Sequence, residues 1–204
     1  MLVKDIFPGN SGGDPIPGDF VDVAGTLFFS ASDGVQGREL WRTDGTAAGT
    51  APVEDVNVVG VSSNPGDLVE VNGTLLFTAS DGSTGLELWR SDGTAAGTRI
   101  VRDIPAGSGS FSPFNLTNVG GTLFFSASDS ASIELWKSDG TAAGTVRVKD
   151  IAPGSGASAS SPANLTDVDG TLFFSADNGL ANGRELQQRL RAGIHVVPAL
   201  SERA

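Results

Sequence analysis

Carboxylates supply most of the groups in this sequence that could do chemistry, and they recur at fixed intervals. Asp5, Asp55, Asp103 and Asp150 each stand in a short β-prone string: "VKDI", "VEDV", "VRDI" and "VKDI". Glu39, Glu87, Glu134 and Glu185 each precede a leucine, and Asp44, Asp92 and Asp139 each precede Gly-Thr. One acid per repeat, set around an axis, could make a ring of oxygens for a cation. Two acids facing a sugar could hydrolyse a glycoside. The plainer use of each is a hydrogen bond to backbone at a turn between strands, and we take that as the expectation. A catalytic pair would break the repeat, whereas these acids follow it.

Other chemistry is scarce. General acid–base work most often uses histidine, and the one histidine is His195, in an irregular tail. There is no cysteine and no tyrosine, and neither a nucleophile elbow nor a phosphate-binding loop can be found. The expectation is therefore a protein that is not an enzyme and needs no cofactor. Calcium is the cation to consider, with Asp5, Asp55, Asp103 and Asp150 as its weak candidates. One Asp per turn is thin coordination for it. Trp41, Trp89 and Trp136 occupy one repeat position and could stack on sugars, but large aromatics more often lock neighbouring layers together. Three N-x-[ST] acceptor sequences, at Asn72, Asn115 and Asn164, lie at turns or strand starts.

The charge balance narrows the partners. Twenty-four acids against 13 bases give a net charge of −11, which argues against nucleic acid and anionic membrane surfaces. No apolar run is long enough to span a bilayer, and "MLVKDIFPGN" lacks the shape of a signal peptide. Glycan or protein ligands fit better than either.

The elements that position these residues come from a repeat. "GTLFFSASD" or a close variant starts at Gly25, Gly73, Gly121 and Gly170, in steps of 48, 48 and 49 residues. "FVDVAG" and "LVEVNG" alternate as half-buried strands do, and "TLFFSAS" reads as a buried strand. Asn72-Gly73 is a strong hairpin signal. In "ELWRSD", Leu88 faces opposite to Glu87 and Trp89. Asp92-Gly93 opens a turn, and "TRIVRDI" is the fourth strand. Pro/Gly/Ser-rich connectors follow. Asp accepts from turn amides and Gly takes positive φ, so Asp44-Gly45, Asp92-Gly93 and Asp139-Gly140 read as turn staples. Four antiparallel strands at this period are the signature of a propeller blade, which needs neighbours on both faces.

The strings "ELWRTDGTAAGT", "ELWRSDGTAAGT" and "ELWKSDGTAAGT" at 39–50, 87–98 and 134–145 resemble the ELWxxDGT repeat family. The resemblance covers roughly residues 3–186. It implies tandem propeller-like arrays in large exported bacterial proteins, placed outside the cell or on its surface. It implies architecture more than activity.

The expected fold is all-β, a β-propeller-like array of four four-stranded antiparallel blades. Four repeats of about 48 residues fill one domain, 1–186, with blades at about 18–56, 66–104, 114–151 and 163–186. Residues 2–6 are expected to close the fourth blade as its last strand. Two competitors stand against that closure: a homo-oligomer of eight blades, and the tail at 187–204, whose "AGIHVV" aligns with "AGTRIV". The fourth copy has lost its Trp and its Asp-Gly turn, as a degenerate capping repeat or a frame disturbance would produce. The expected function is a noncatalytic extracellular scaffold for adhesion or ligand display. A self-assembling surface or filament subunit and, less favoured, a glycoside-active propeller enzyme are the alternatives.

Overall fold

The computed structural model describes residues 2–7, 17–54, 56–57, 61–104, 111–128, 132–151, 160–179, 184–190 and 193–196. Among them are sixteen strands and no helix. They form four four-stranded antiparallel sheets, each a meander in chain order. Sheet 1 holds β1 (Gly18–Val23), β2 (Thr26–Ser32), β3 (Arg38–Thr43) and β4 (Ala51–Glu54). Sheet 2 holds β5 (Gly66–Val71), β6 (Thr74–Ser80), β7 (Leu86–Ser91) and β8 (Arg99–Ile100). Sheet 3 holds β9 (Phe114–Val119), β10 (Thr122–Ser128), β11 (Ile133–Ser138) and β12 (Val146–Lys149). Sheet 4 holds β13 (Ala163–Val168), β14 (Thr171–Asp177), β15 (Arg184–Leu190) and β16 (Gly193–Val196). The chain divides into two compact units, residues 1–112 and 113–204, with two sheets in each.

The first hairpin of every sheet turns on two consecutive residues with positive φ: Ala24-Gly25, Asn72-Gly73, Gly120-Gly121 and Asp169-Gly170. That is the twist-matched two-residue turn that joins strands most tightly. A polar side chain three residues back accepts from the second turn amide in each: Asp22, Glu70, Asn118 and Asp167. Early in the first strand a second repeated device appears. Asp19, Asp67, Asn115 and Asn164 take φ of 49–57° where the register of the first pair shifts. Asp and Asn tolerate this conformation best among residues with a side chain, which explains their place there.

Each sheet has two different apolar faces because side chains alternate along a strand. In the first unit, Val23, Phe28 and Leu40 on one face of sheet 1 pack onto Leu75, Phe77 and Ala79 of sheet 2. In the second unit, Val119, Phe124 and Leu135 of sheet 3 pack onto Leu172, Phe174 and Ala176 of sheet 4. We call the first kind the leading face and the second the receiving face. The same positions serve in both units, so the packing has a direction. Each buried Leu or Phe contributes about 1.5–3 kcal/mol. The connector after each of the first and third sheets crosses in the same way, carrying Val56 or Ile151 into the core.

The expected closure by the chain start is corrected. The fourth strand of sheet 4 is β16, Gly193–Val196, which pairs with β15 from Gln187↔Val196 to Leu190↔Gly193. Residues 2–6 are not a strand. They lie on the receiving face of sheet 1, where Ile6 packs against Phe29, Ala31 and Trp41, and the Lys4 ammonium donates to the Thr50 carbonyl at 2.6 Å. The reason is the availability of an edge. The tail fills the pairing slot that sheet 4 offers, and β1–β4 already complete sheet 1. Ile6 instead takes the packing position that Val56 and Ile151 take on later sheets.

Candidate functional site

The Asp-Gly-Thr turns form three near-identical networks. Asp44 Oδ1 accepts from the Thr46 amide at 2.9 Å and the Thr46 hydroxyl at 2.7 Å. Asp92 with Thr94 and Asp139 with Thr141 repeat both distances. The Thr oxygen then accepts from the amide of Gly49, Gly97 or Gly144. A Cβ at any of these three glycines would fall onto the Asp carboxylate, so the loop requires Gly there. Gly45, Gly93 and Gly140 take φ of 84–88°, a conformation that costs glycine nothing. Below the turn a pair of hydroxyls closes the network: Thr43 with Thr50, Ser91 with Thr98, and Ser138 with Thr145. The hydroxyl and amide of the paired Thr hold each Asp carboxyl below its ordinary range. These carboxylates are exposed but already engaged.

The repeated glutamates sit deeper. Glu39, Glu87 and Glu134 are buried, and each carboxylate stabilises the connector that leaves its sheet. Glu39 accepts from the Ser63 amide at 2.8 Å, the Ser63 hydroxyl at 2.6 Å and the Val56 amide at 3.3 Å. Glu134 accepts from the Ser160 hydroxyl at 2.7 Å, the Ile151 amide at 3.3 Å and the Ser132 hydroxyl at 3.1 Å. At the equivalent place in the second repeat the serine is Phe111, fully buried. Its amide still donates to Glu87 Oε1 at 3.0 Å, but there is no hydroxyl, and Glu87 Oε2 is buried without a hydrogen bond. Burial pushes the Glu87 carboxyl up to about 7; the amides of Phe111 and Ile104 oppose this, and the charges of Asp103 and Asp81 add to it. Glu185 is only half-buried, and Asn178 Nδ2 donates to it at 3.1 Å.

Trp41, Trp89 and Trp136 are 5%, 7% and 6% exposed, so their ring faces are packed and not open to a sugar. Trp89 Nε1 donates to the Ala79 carbonyl at 3.1 Å. In the fourth repeat the position is Gln187, fully buried opposite Phe174, with neither polar atom of its amide hydrogen-bonded. The four cation candidates meet different fates. Asp5 is exposed and accepts from the Phe7 amide at 3.1 Å. Asp103 is half-buried beside Glu87, and Asp150 is exposed after β12. Asp55 lies outside the described residues. No group of three or more His, Cys, Asp or Glu side chains suited to a metal occurs among the described residues.

Sequence reasoning missed one concave surface. A recess of about 400 Å³ opens between residues 2–6 and sheet 1, lined by apolar side chains that include Leu2, Ile6, Phe20 and Phe29, and by the charged Lys4 and Asp5. Phe20 lies 5.8 Å from Phe29, centroid to centroid. Leu2 and Phe20 are among the most exposed large apolar side chains described. The signal available in the sequence was Phe20 itself, a Phe where the next repeat has Leu68, in a strand expected to be half-buried.

No family model matches the chain, and no curated protein matches it in sequence. Solved structures do match in shape. A prolyl endopeptidase superposes with a TM-score of 0.55 at 15% identity, over 85% of this chain and 24% of that one. A puromycin hydrolase gives 0.52 at 12% identity, over 86% of this chain and 28% of the other. TolB from Agrobacterium tumefaciens gives 0.49 at 9% identity, over 84% and 60%. The chain spans about a quarter of the length of the two hydrolases. The protein is thus an all-β array of four antiparallel four-stranded sheets of the propeller type. The identities are too low to carry more than the fold.

Proposed function

We propose that this chain is a noncatalytic repeat scaffold, extracellular or on a cell surface, that displays or binds a glycan or protein ligand. One observation carries the reading. The polar residues that recur in the repeat are engaged internally, in three turn networks that differ by no more than about 0.1 Å in their shared Asp–Thr distances. Residues used so uniformly stabilise a frame, whereas a reacting centre needs groups that depart from the repeat. The frame leaves the loop tips Ala47-Ala48, Ala95-Ala96 and Ala142-Ala143 exposed at equivalent places. The exported location is carried over from the resemblance of the ELWxxDGT strings.

Glycan and extracellular-protein arrays probed with the purified chain test the proposal. Saturable retention with array glycans left intact supports it. Cleavage of an arrayed glycan would show a glycoside-active protein instead. Retention on neither array would remove the ligand-display reading.

A further inference from the structure

The packing within each unit is directional, and the leading face of sheet 4 and the receiving face of sheet 1 both carry exposed apolar side chains. On the leading face, Leu40, Leu88 and Leu135 are fully buried, but the equivalent Leu186 of sheet 4 is 50% exposed. Val23, Val71 and Val119 are 3–7% exposed, while the equivalent Val168 is 49%. Phe173, at the place of Phe28 and Phe124, is only half-buried where those two are buried. On the receiving face of sheet 1 the mirror situation holds. Phe20 is 58% exposed where Leu68 of sheet 2 is 8%, and Leu27 is half-buried where Leu75, Leu123 and Leu172 are at most 1% exposed.

We propose that a second copy of this chain docks here head to tail: the leading face of its sheet 4 (Val168, Phe173, Leu186) seats on the receiving face of sheet 1 (Phe20, Leu27), beside the buried cluster of Phe29 and Ile6. The contact continues one the chain already makes twice, sheet 1 on sheet 2 and sheet 3 on sheet 4, with the same repeat positions on each side. Two details fit this occupant. Ile6 already fills the receiving-face position that Val56 and Ile151 fill on sheets 2 and 4, so part of the seat is set. Gly93 of sheet 2 lies against the Phe28 ring, and a Cβ there would meet Phe28 Cζ at 3.2 Å; its counterpart Gly45 has nothing within 4 Å. Phe173 of the second copy would occupy that place. Phe20 on one face and Val168 and Leu186 on the other are exposed large apolar side chains, and exposed apolar surface of this kind marks interaction sites. The interface is heterologous, joining two different faces, and therefore has a polarity.

Light scattering after size exclusion tests this on the full chain and on two variants, Phe20→Lys and Leu186→Lys. Lysine makes the chain less acidic, so any loss of association reflects the face and not added repulsion. Both positions are exposed, and Val168→Lys stands in if Leu186→Lys loses its circular dichroism signature. The wild type should gain mass with concentration, and each variant should associate at least about tenfold more weakly, since each removes a large apolar side chain that docking would bury. Mixing the two variants is decisive. Each retains one good face, and the faces are complementary, so the mixture should form 1:1 pairs and grow no further. A wild type of single-chain mass up to hundreds of micromolar would overturn the proposal. So would variants that associate like the wild type, or a mixture in which the two stay apart.

Discussion

Replacing Glu87 with Gln removes a titration that burial creates in the second repeat, where Phe111 offers no hydroxyl in the place of Ser63 and Ser160. The carboxyl rises from an ordinary 4.5 to about 7 in the folded chain. A raised carboxyl favours the folded state while protonated. Its contribution is complete below the unfolded value, and it is lost as pH rises through the folded one. Across that window the unfolded chain has released a proton that the folded chain still holds. The linkage relation gives a loss of about 2.5 kcal/mol between about pH 5 and about pH 8, and at most about 1.4 kcal/mol per pH unit. Gln is close in shape to the protonated acid, so Glu87→Gln should match the wild type near pH 5 and exceed it by roughly that amount near pH 8. Urea midpoints followed by tryptophan fluorescence at several pH values supply the comparison, because other carboxylates titrate equally in both proteins. Phe111→Ser is the second arm. It loses apolar packing worth about 3 kcal/mol, yet it restores the hydroxyl that Glu39 and Glu134 receive and should flatten the slope. Parallel curves for wild type and Glu87→Gln across the range would refute the reasoning, as would a difference that grows toward acid.

Three further outcomes follow from single residues. Gln187→Leu should raise stability by about 1–3 kcal/mol in chemical denaturation, because it removes a fully buried amide that has no partner. Ala24 carries φ of 51° in the first hairpin, where the other repeats have Asn, Gly and Asp, so Ala24→Asn should raise the melting temperature, by about 1 kcal/mol in free energy. Asp44, Asp92 and Asp139 are held below their ordinary value of 3.8, so their stabilisation is present above it and lost as pH falls through the lowered values. Acid unfolding of Asp92→Asn should therefore be shallower than that of the wild type below about pH 4.

The frame of the protein was legible because its signals are local. Asn72-Gly73 and its counterparts dictate a hairpin whatever surrounds them, and the period of "GTLFF" reveals the sheets. The turn role of Asp44, Asp92 and Asp139 was legible for the same reason: donor and acceptor lie two residues apart. The chain start was misread because "VKDI" at 3–6 has the same letters as true strand ends. Whether such a string pairs depends on a free edge elsewhere, and β16 holds the one that sheet 4 offers. Glu87 was not distinguished from Glu39 and Glu134, since the difference lies 24 residues away in a connector. Nor could alternation say which faces of Trp41 or Phe20 are covered, because that depends on the next layer and not on the strand.

All the strand pairing in each sheet joins chain neighbours, β1 to β2 to β3 to β4 and so on through β16. Among the described residues, no strand pairing waits for a distant segment. For an all-β fold this keeps the cost of loop closure small, and slow folding in β proteins comes mainly from that cost. Each meander can form as soon as it leaves the ribosome, and within each unit the first sheet then offers the face on which the second is laid. Synthesis and folding of each sheet would proceed in the same order and the same direction, which shortens the time an incomplete sheet is open to capture by other chains.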